Sequence, residues 1–225
     1  NPWITPLGDH DGGVRRIEMH YPLIHESNRL PYHFVQGYPK YLETQLGVDV
    51  PLTAFHGDVH LSPREKELPP PGGLSASDRY WLIFGGGKMD FTAKWWPKEF
   101  YQQVVDRLQG RVRFVQCGSA RDRHPRLRNV IDMVGRTGIR QLIRLMYHAD
   151  GVLCPVTFAM HLAAAVPSAP GRPAHRPCVI VAGGREPPHW EAYPHHRFLS
   201  TVGALTCCQN GGCWRGRCQT LGDGS

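Results

Sequence analysis

The sequence predicts an α/β fold built on a doubly wound parallel sheet. Short apolar runs alternate with amphipathic stretches between residues 80 and 182, and this alternation is typical of strands and helices that wind a parallel sheet. Several apolar runs end in loops rich in glycine or proline. Because ligands of such sheets bind beside the carboxyl ends of the strands, we expect these loops to form a binding edge.

The predicted elements follow one another without an internal repeat. The first strand is a continuous apolar run that ends in Gly85, Gly86 and Gly87, as buried parallel strands do. The helix that follows opens at Pro97, because proline is favourable in the first turn of a helix. The predicted strands cover residues 80–84, 112–117, 130–133, 151–154 and 178–182, and the predicted helices cover residues 38–46, 97–108, 139–148 and 159–165.

A proline- and glycine-rich segment divides the chain. Residues 69–73 read Pro-Pro-Pro-Gly-Gly, which continues neither a helix nor a central strand. We therefore predict a partial N-terminal domain over 1–66, a linker over 67–76, a second domain over 77–205 and a cysteine-rich tail over 206–225. The chain begins at Asn1 rather than at Met, so we expect it to be a fragment of a longer protein.

The composition is that of a globular protein. Of 225 residues, 41% are hydrophobic and 20% are charged. No apolar run approaches the roughly 18 residues of a membrane helix, and the start carries no secretory signal, so we expect a cytoplasmic protein without a transmembrane segment. The net charge of +7 comes from scattered Lys and Arg without a nucleic-acid-binding motif. It suits an anionic partner such as a nucleotide diphosphate, although an ordinary basic surface explains it equally well.

The loop at residues 85–97 carries the parts of a diphosphate site. Gly86 and Gly87 allow backbone N–H groups to approach a ligand closely, and Thr92 and Lys94 add a hydroxyl and a positive charge. The residue order of a P-loop is absent. The alternative is that the glycines make a purely structural turn.

Two further polar loops follow later strands. Thr157 follows a strand and opens a helix, where it either caps the helix or binds a phosphate oxygen. His161 lies in the first turns of that helix, and its alternative role is that of a buried core histidine. Arg185 and Glu186 lie in the loop after the last predicted strand, and the alternative there is a tight surface turn. We expect the three loops to meet at one sheet edge.

The tail concentrates four cysteines, Cys207, Cys208, Cys213 and Cys218, within twelve residues. Four thiolates could hold a structural zinc or iron ion tetrahedrally. Reduced structural cysteines are the alternative, and a disulfide is less expected in a reducing compartment.

Four segments resemble glycosyltransferase family 9, the family of the ADP-heptose:lipopolysaccharide heptosyltransferases. They are residues 85–97, 134–142, 160–164 and 183–190, in the family's order. The cysteine-rich tail resembles the iron-finger insertion of the branch that glycosylates autotransporter proteins. The resemblance implies a GT-B fold, in which two Rossmann-like domains face a cleft and the C-terminal one binds the sugar donor. Residues 1–66 would then be part of the acceptor domain.

The resemblance also implies roles for single residues. Lys94 would neutralise the donor diphosphate, Thr157 and His161 would grip the phosphates, and Thr137 would lie near the adenosine. In the phosphate motif, Val156 and Phe158 stand where the family has Asp and Gly. The phosphate contacts would therefore be rearranged, or another donor accepted.

The implied reaction is an inverting transfer of a heptose-like sugar from an ADP-sugar to a lipopolysaccharide core or to a protein hydroxyl. It would need no cofactor for catalysis, and a peripheral contact with the membrane would bring the enzyme to a lipid acceptor. Nothing in residues 1–60 matches the segment that carries the family's catalytic carboxylate, and Asp9, His10 and Asp11 are weak substitutes. The alternative function is a non-catalytic nucleotide- or metal-binding module, and a nucleic-acid-binding protein is favoured by the net charge alone.

Overall fold

The chain is described by a computed structural model that covers residues 12, 13, 15–19 and 28–217. Asp9, His10, Asp11 and Cys218 lie outside these residues. The strands are β1 Trp81–Ile83, β2 Phe114–Gln116, β3 Ile131–Asp132, β4 Gly151–Pro155, β5 Cys178–Gly183 and β6 His196–Ser200. The α-helices are α1 Phe34–Leu46, α2 Pro63–Glu67, α3 Lys98–Arg107, α4 Ile139–His148, α5 Phe158–Ala165 and α6 Pro188–Glu191, and the 3₁₀ helices are Met89–Lys94 and Thr206–Cys208.

The six strands form one parallel sheet in the order β3-β2-β1-β4-β5-β6. This is the doubly wound order of Rossmann-like domains, so the predicted fold class is confirmed. The direction of winding reverses between β1 and β4, where Trp81 pairs with Gly151. A Cβ on Gly151 would overlap the Trp81 ring, so this pairing requires glycine at that position. The reversal opens a crevice at the carboxyl ends of β1 and β4.

Helices cover both faces of the sheet, and neighbouring residues of a strand face opposite cores. Leu82 of β1 packs into the larger core with Leu145 of α4 and Met160 of α5, whereas Ile83 packs with Tyr101 of α3. All five side chains are essentially inaccessible to water. Continuous apolar strands are what a sheet covered on both faces requires, which is why these strands could be predicted.

The N-terminal segment packs on the same core. Helix α1 begins at Phe34, although the sequence predicts a helix only from residue 38, because His33 caps it through a hydrogen bond from the Val35 N–H to Nδ1 of 3.2 Å. Phe34 contacts the larger core, as does Phe55, and Leu61 is buried within it. The domain boundaries stay a prediction.

The predicted linker, residues 67–76, begins at the last residue of α2 and otherwise lies within the connection to β1, which covers residues 68–80. Gly72 and Gly73 adopt φ angles of 90° and 73°, which favour glycine and end any regular element. Helix α2 is tied to α4 through Glu65, which accepts a hydrogen bond of 2.7 Å from Nε of Arg140. Within the described part of the chain, no helix combines the length and the apolar character that a membrane crossing needs.

Arg176 closes the amino-terminal side of the sheet, just before β5. Its side chain is buried, and burial lowers its pKa to about 10, so the guanidinium stays charged at neutral pH. It donates hydrogen bonds to the backbone carbonyls of Tyr147, Ala149, Ala163, Val166 and Pro167. These bonds satisfy carbonyls at the carboxyl ends of α4 and α5 that the helices themselves leave free.

Candidate functional site

A cavity of about 540 Å³ lies at the crevice between β1 and β4. It is bounded by the glycine loop after β1, the loop after β2 and the amino end of α5. Ligands of doubly wound sheets bind at this point of strand-order reversal. The cavity therefore occupies the binding edge that the strand-end loops predict.

The structure brings five of the nine predicted binding residues to the cavity wall. They are Gly86, Gly87, Lys94, Thr137 and Thr157. The other four, Thr92, His161, Arg185 and Glu186, lie outside the lining. Arg185 and Glu186 nevertheless reach the cavity indirectly, through the lysine.

The glycine loop is tied to the loop after β2. The Gly87 N–H donates to the carbonyl oxygen of Arg123, and the Arg123 N–H donates to the carbonyl oxygen of Gly87, each at 3.3 Å. A Cβ on Gly86 would overlap the Arg123 carbonyl oxygen. Gly86 is thus required by the close approach of the two loops, and the Gly87 N–H is already bonded within the chain.

The amino end of α5 forms the facing wall. Thr157 caps the helix, and its Oγ1 accepts a hydrogen bond of 3.4 Å from the Ala159 N–H. The first turn of a helix carries N–H groups without intrahelical partners and a partial positive charge, so this wall attracts anions. Phe158, the first helical residue, lines the cavity and is 56% exposed. Val156, at the end of the strand, is buried and contributes no carboxylate.

Lys94 ends the 3₁₀ helix over the cavity and is held by an ion pair. Its Nζ donates to Oε1 of Glu186 at 2.6 Å, and the guanidinium of Arg185 contacts the same carboxylate oxygen. Glu186 is 1% exposed, so two cations offset the burial of one carboxylate. The three groups together leave one positive charge beside the cavity.

His161 of α5 lies in an aromatic cluster and does not line the cavity. Its Nδ1 is 3.0 Å from the Tyr193 hydroxyl, and its ring packs edge-on against Phe34 of α1. Burial, reinforced by nearby positive groups, lowers the pKa of His161 to about 4, so the imidazole is neutral at pH 7. Its Nε2 is 3.9 Å from Oε2 of Glu191, a buried side chain of α6.

The pKa of the Glu191 carboxyl is also shifted. Burial raises the pKa of its carboxyl to about 7, and the charge of Glu186 adds to that effect, whereas Lys94 and Arg185 act against it. Its Oε2 has no hydrogen-bond partner among the described residues. Glu191 therefore titrates near neutral pH. It differs in this from Glu186, five residues earlier, which has two cationic partners.

Sequence reasoning missed the loop after β2. Ser119, Asp122 and His124 of this loop line the cavity, and both ring nitrogens of His124 are buried without a hydrogen-bond partner in the described structure. Burial lowers the pKa of His124, against the opposing charge of Asp122. The signal was present, because Gly118 and Ser119 follow a predicted strand and the strand-end rule applies to them too.

The cavity is lined by both apolar and polar groups. Phe84, Ile139, Leu142 and Phe158 supply apolar surface, and the polar groups are Lys88, Lys94, Thr157 and the loop after β2. A nucleotide combines the same two kinds of surface, because it carries a flat base and charged phosphates. The arrangement can thus hold a base by apolar contact and a diphosphate by positive charge.

The cysteine-rich tail packs beside the loop after β5. Cys208 is buried, and its Sγ lies 3.4 Å from the carbonyl oxygen of Leu205. Partial desolvation and the neighbouring thiols of Cys208 and Cys213 raise the pKa of Cys207. Among residues 12, 13, 15–19 and 28–217, no group of three or more His, Cys, Asp or Glu side chains is arranged to hold a metal ion. Because Cys218 lies outside these residues, the four-cysteine site stays a prediction.

Comparison with known proteins identifies relatives. The family model of glycosyltransferase family 9 (heptosyltransferase) matches residues 14–170. A family 9 glycosyl transferase from Veillonella parvula is 18% identical, with a TM-score of 0.57 over 78% of this chain and 51% of its own. This likeness shows that the two proteins share a fold. No curated protein sequence is significantly similar to the chain.

Two E. coli structures match with lower TM-scores. ADP-heptose lps heptosyltransferase II is 21% identical, with a TM-score of 0.48 over 68% of this chain and 46% of its own. The iron-containing dodecameric glycosyltransferase TibC is 17% identical, with a TM-score of 0.42 over 74% of this chain and 37% of its own. The chain spans about half the length of the first two relatives, at 51% and 46%.

Proposed function

The chain belongs to glycosyltransferase family 9, and from this membership we propose that the 540 Å³ cavity binds the nucleotide diphosphate of an activated sugar for transfer. The observation that carries the proposal is the combination of apolar side chains and positively charged groups in one cavity at the strand-order reversal. The donor that fits this combination and the family is an ADP-sugar with a heptose-like sugar.

The positively charged groups would hold the diphosphate. Lys94 supplies an ammonium whose three N–H groups are not all used by Glu186, and the amino end of α5 supplies backbone N–H groups and a partial positive charge. Both would stabilise the charge that grows on the diphosphate as the sugar leaves, which is electrostatic stabilisation of the leaving group. Such stabilisation requires no cofactor.

The apolar side chains would hold the nucleoside. Ile139 and Leu142 of α4 and Phe158 of α5 line the cavity, as does Thr137 just before α4. Asp122, on the loop after β2, would accept hydrogen bonds from ribose hydroxyls. Adenosine is thus recognised mainly by apolar contact, with the polar loop fixing the sugar.

The transfer itself would invert the anomeric carbon. The acceptor oxygen forms a bond to that carbon as the bond to the diphosphate oxygen breaks, and ADP leaves with the electron pair. A general base takes the proton of the acceptor hydroxyl. The acceptors that fit the family are a lipopolysaccharide core, met in the cytoplasm by peripheral contact with the membrane, and a protein hydroxyl.

The test is a calorimetric titration of the chain with ADP, UDP, GDP and adenosine. We expect ADP to bind most tightly, and adenosine to bind more weakly because it lacks the diphosphate. Tighter binding of UDP or GDP would agree with a nucleotide-diphosphate site in the cavity but would contradict an ADP-sugar as the donor. A chain that binds none of the three diphosphates would overturn the proposed function.

The second candidate, a nucleotide-binding module without catalysis, is favoured by Val156. This residue is buried and apolar at the end of β4, where the family pattern places a carboxylate. Incubation with ADP-heptose separates the two candidates. Release of ADP that depends on an added acceptor supports the transferase, whereas binding without release supports the module.

A further inference from the structure

Glu186 contacts a residue of the cavity without lining the cavity itself. It is 1% exposed, and its carboxylate accepts a hydrogen bond of 2.6 Å from Lys94 and contacts Arg185. We propose that Glu186 is a positioning residue for Lys94, and that the cysteine-rich tail fixes Glu186 through Arg185. This inference rests on the proposed function, because it takes Lys94 to be the ligand of the donor diphosphate.

The geometry leaves Lys94 available to a ligand. An ammonium has three N–H donors, and Glu186 accepts from one of them. The lysine side chain has several rotatable bonds and is otherwise free to sample many rotamers. The bond to a buried carboxylate removes much of that freedom before the ligand arrives. The remaining donors are therefore held at the cavity wall, where a diphosphate would bind.

Arg185 keeps the Glu186 carboxylate paired with a cation when Lys94 binds the ligand. If Lys94 were the one cation near Glu186, a diphosphate that drew the ammonium away would leave a buried carboxylate without a partner, which is strongly unfavourable. Arg185 contacts the same carboxylate oxygen, so Glu186 keeps one cation in either case. The lysine can then be shared between the carboxylate and the diphosphate.

Two residues of the tail, Arg215 and Trp214, contact Arg185. Its Nε donates a hydrogen bond of 2.8 Å to the carbonyl oxygen of Arg215. Its guanidinium lies 4.5 Å from the ring centre of Phe91 and 5.5 Å from that of Trp214. The Trp214 N–H also donates to the carbonyl oxygen of Arg185 at 2.9 Å. Arg215 and Trp214 both belong to the tail.

The same short segment bridges both partners of the ion pair. The Cys213 N–H donates to the carbonyl oxygen of Gly184, in the loop that carries Glu186, at 3.1 Å. The Ala93 N–H, in the 3₁₀ helix that carries Lys94, donates to the carbonyl oxygen of Gly216 at 3.1 Å. Residues 213–216 therefore connect the two elements on which the ion pair depends.

The test uses substitutions that keep the charge and change the geometry. Glu186→Asp shortens the carboxylate by one methylene, and Trp214→Leu removes the ring beside Arg185. We expect ADP affinity to fall about fivefold in the first variant and about threefold in the second, the scale of coupling between contacting residues. Adenosine affinity should stay unchanged in both, because adenosine has no group for Lys94 to bind. Arg197→Lys, on an exposed position of β6, is the matched control.

The decisive measurement repeats each substitution in a Lys94→Met background. Because Glu186 and Trp214 act through the lysine, their effects on ADP affinity should disappear there. Unchanged ADP affinity in Glu186→Asp, or a loss that persists at the same size without Lys94, overturns the proposal. Circular dichroism checks folding, and Arg185→Lys takes the place of a variant that does not fold, with a threefold loss expected.

The proposed function fails in a different way. A parent chain that binds ADP no better than adenosine, or a Lys94→Met variant that binds ADP as the parent does, removes the diphosphate site itself. Failure of the positioning role alone leaves the parent selective for ADP and sensitive to Lys94→Met. The two failures are therefore distinguishable in one set of titrations.

Discussion

The two ends of the sheet each carry a cation, and the two cations form opposite kinds of contact. At the amino-terminal end, Arg176 donates to five backbone carbonyls and lies away from any described carboxylate partner. At the carboxyl-terminal end, Lys94 uses one carboxylate and keeps donors free beside a cavity. A cation whose donors are all used stabilises the fold, whereas one with donors to spare can bind a ligand. The difference separates a residue needed for stability from one needed for binding.

The largest expected effect comes from removing Arg176, the cation whose N–H donors are all used. Arg176→Met leaves several buried carbonyls without donors, and each costs about 1–3 kcal/mol. We expect the free energy of unfolding to fall by about 3–5 kcal/mol, with ADP affinity unchanged at temperatures where the variant is folded. Chemical denaturation measures the loss, and Arg197→Met, at an exposed position, is the control. A stability equal to that of the parent would contradict the assignment of Arg176.

Removing Lys94, the cation with free donors, should instead weaken ADP binding and leave stability nearly unchanged. Lys94→Met leaves Glu186 paired with Arg185, so we expect the free energy of unfolding to change by less than about 1 kcal/mol. ADP affinity should fall at least tenfold, about 1.4 kcal/mol, because a charge-assisted hydrogen bond to phosphate is lost. Calorimetry with ADP and adenosine measures this. A large loss of stability with unchanged ADP affinity would place Lys94 in the same class as Arg176.

A smaller effect concerns Glu191, whose carboxylate forms no ion pair with a Lys or Arg among the described residues. Because the folded pKa of Glu191 is raised to about 7, the folded state binds more protons than the unfolded state between pH 7 and its usual pKa near 4.5. Its contribution to stability therefore increases as pH falls through this range. We expect Glu191→Gln to be about 1–2 kcal/mol more stable than the parent at pH 8, and equal to it at pH 4.5.

Denaturation at the two pH values tests this prediction, with Glu67→Gln at an exposed position as the control. His161 acts in the other direction, because its folded pKa is lowered to about 4 and the unfolded state binds more protons below pH 6.5. Its contribution is therefore lost as pH falls from 6.5 to 4. A Glu191→Gln variant whose stability relative to the parent does not depend on pH would contradict the raised pKa.

The sheet can be predicted from the sequence more completely than the contacts of the charged residues can. The strands β1, β4 and β5 are continuous apolar runs, and their order along the chain is enough to place the binding edge. Strand β6 was missed because its residues alternate between half-buried and exposed positions at the edge of the sheet, so its hydrophobic signal is weak. Helix α1 begins earlier than predicted, because its cap is a histidine.

The site was predicted in part for the same reason. Residues that follow a strand directly, such as Gly86 and Thr157, reach the cavity by sheet geometry alone. Glu186 lies 92 positions after Lys94, and their pairing depends on how the 3₁₀ helix folds over the loop after β5. The five carbonyls that accept from Arg176 lie in the last turns of α4 and α5 and in the residues that follow each helix. No local pattern encodes either arrangement.

The paired hydrogen bonds between Gly87 and Arg123 join the two loops that form one rim of the cavity. A change of length in one loop would displace the other, so neither loop can vary independently. Transplanting the rim of another family member to alter donor preference should therefore require both loops to be exchanged as a unit, with glycine retained at position 86.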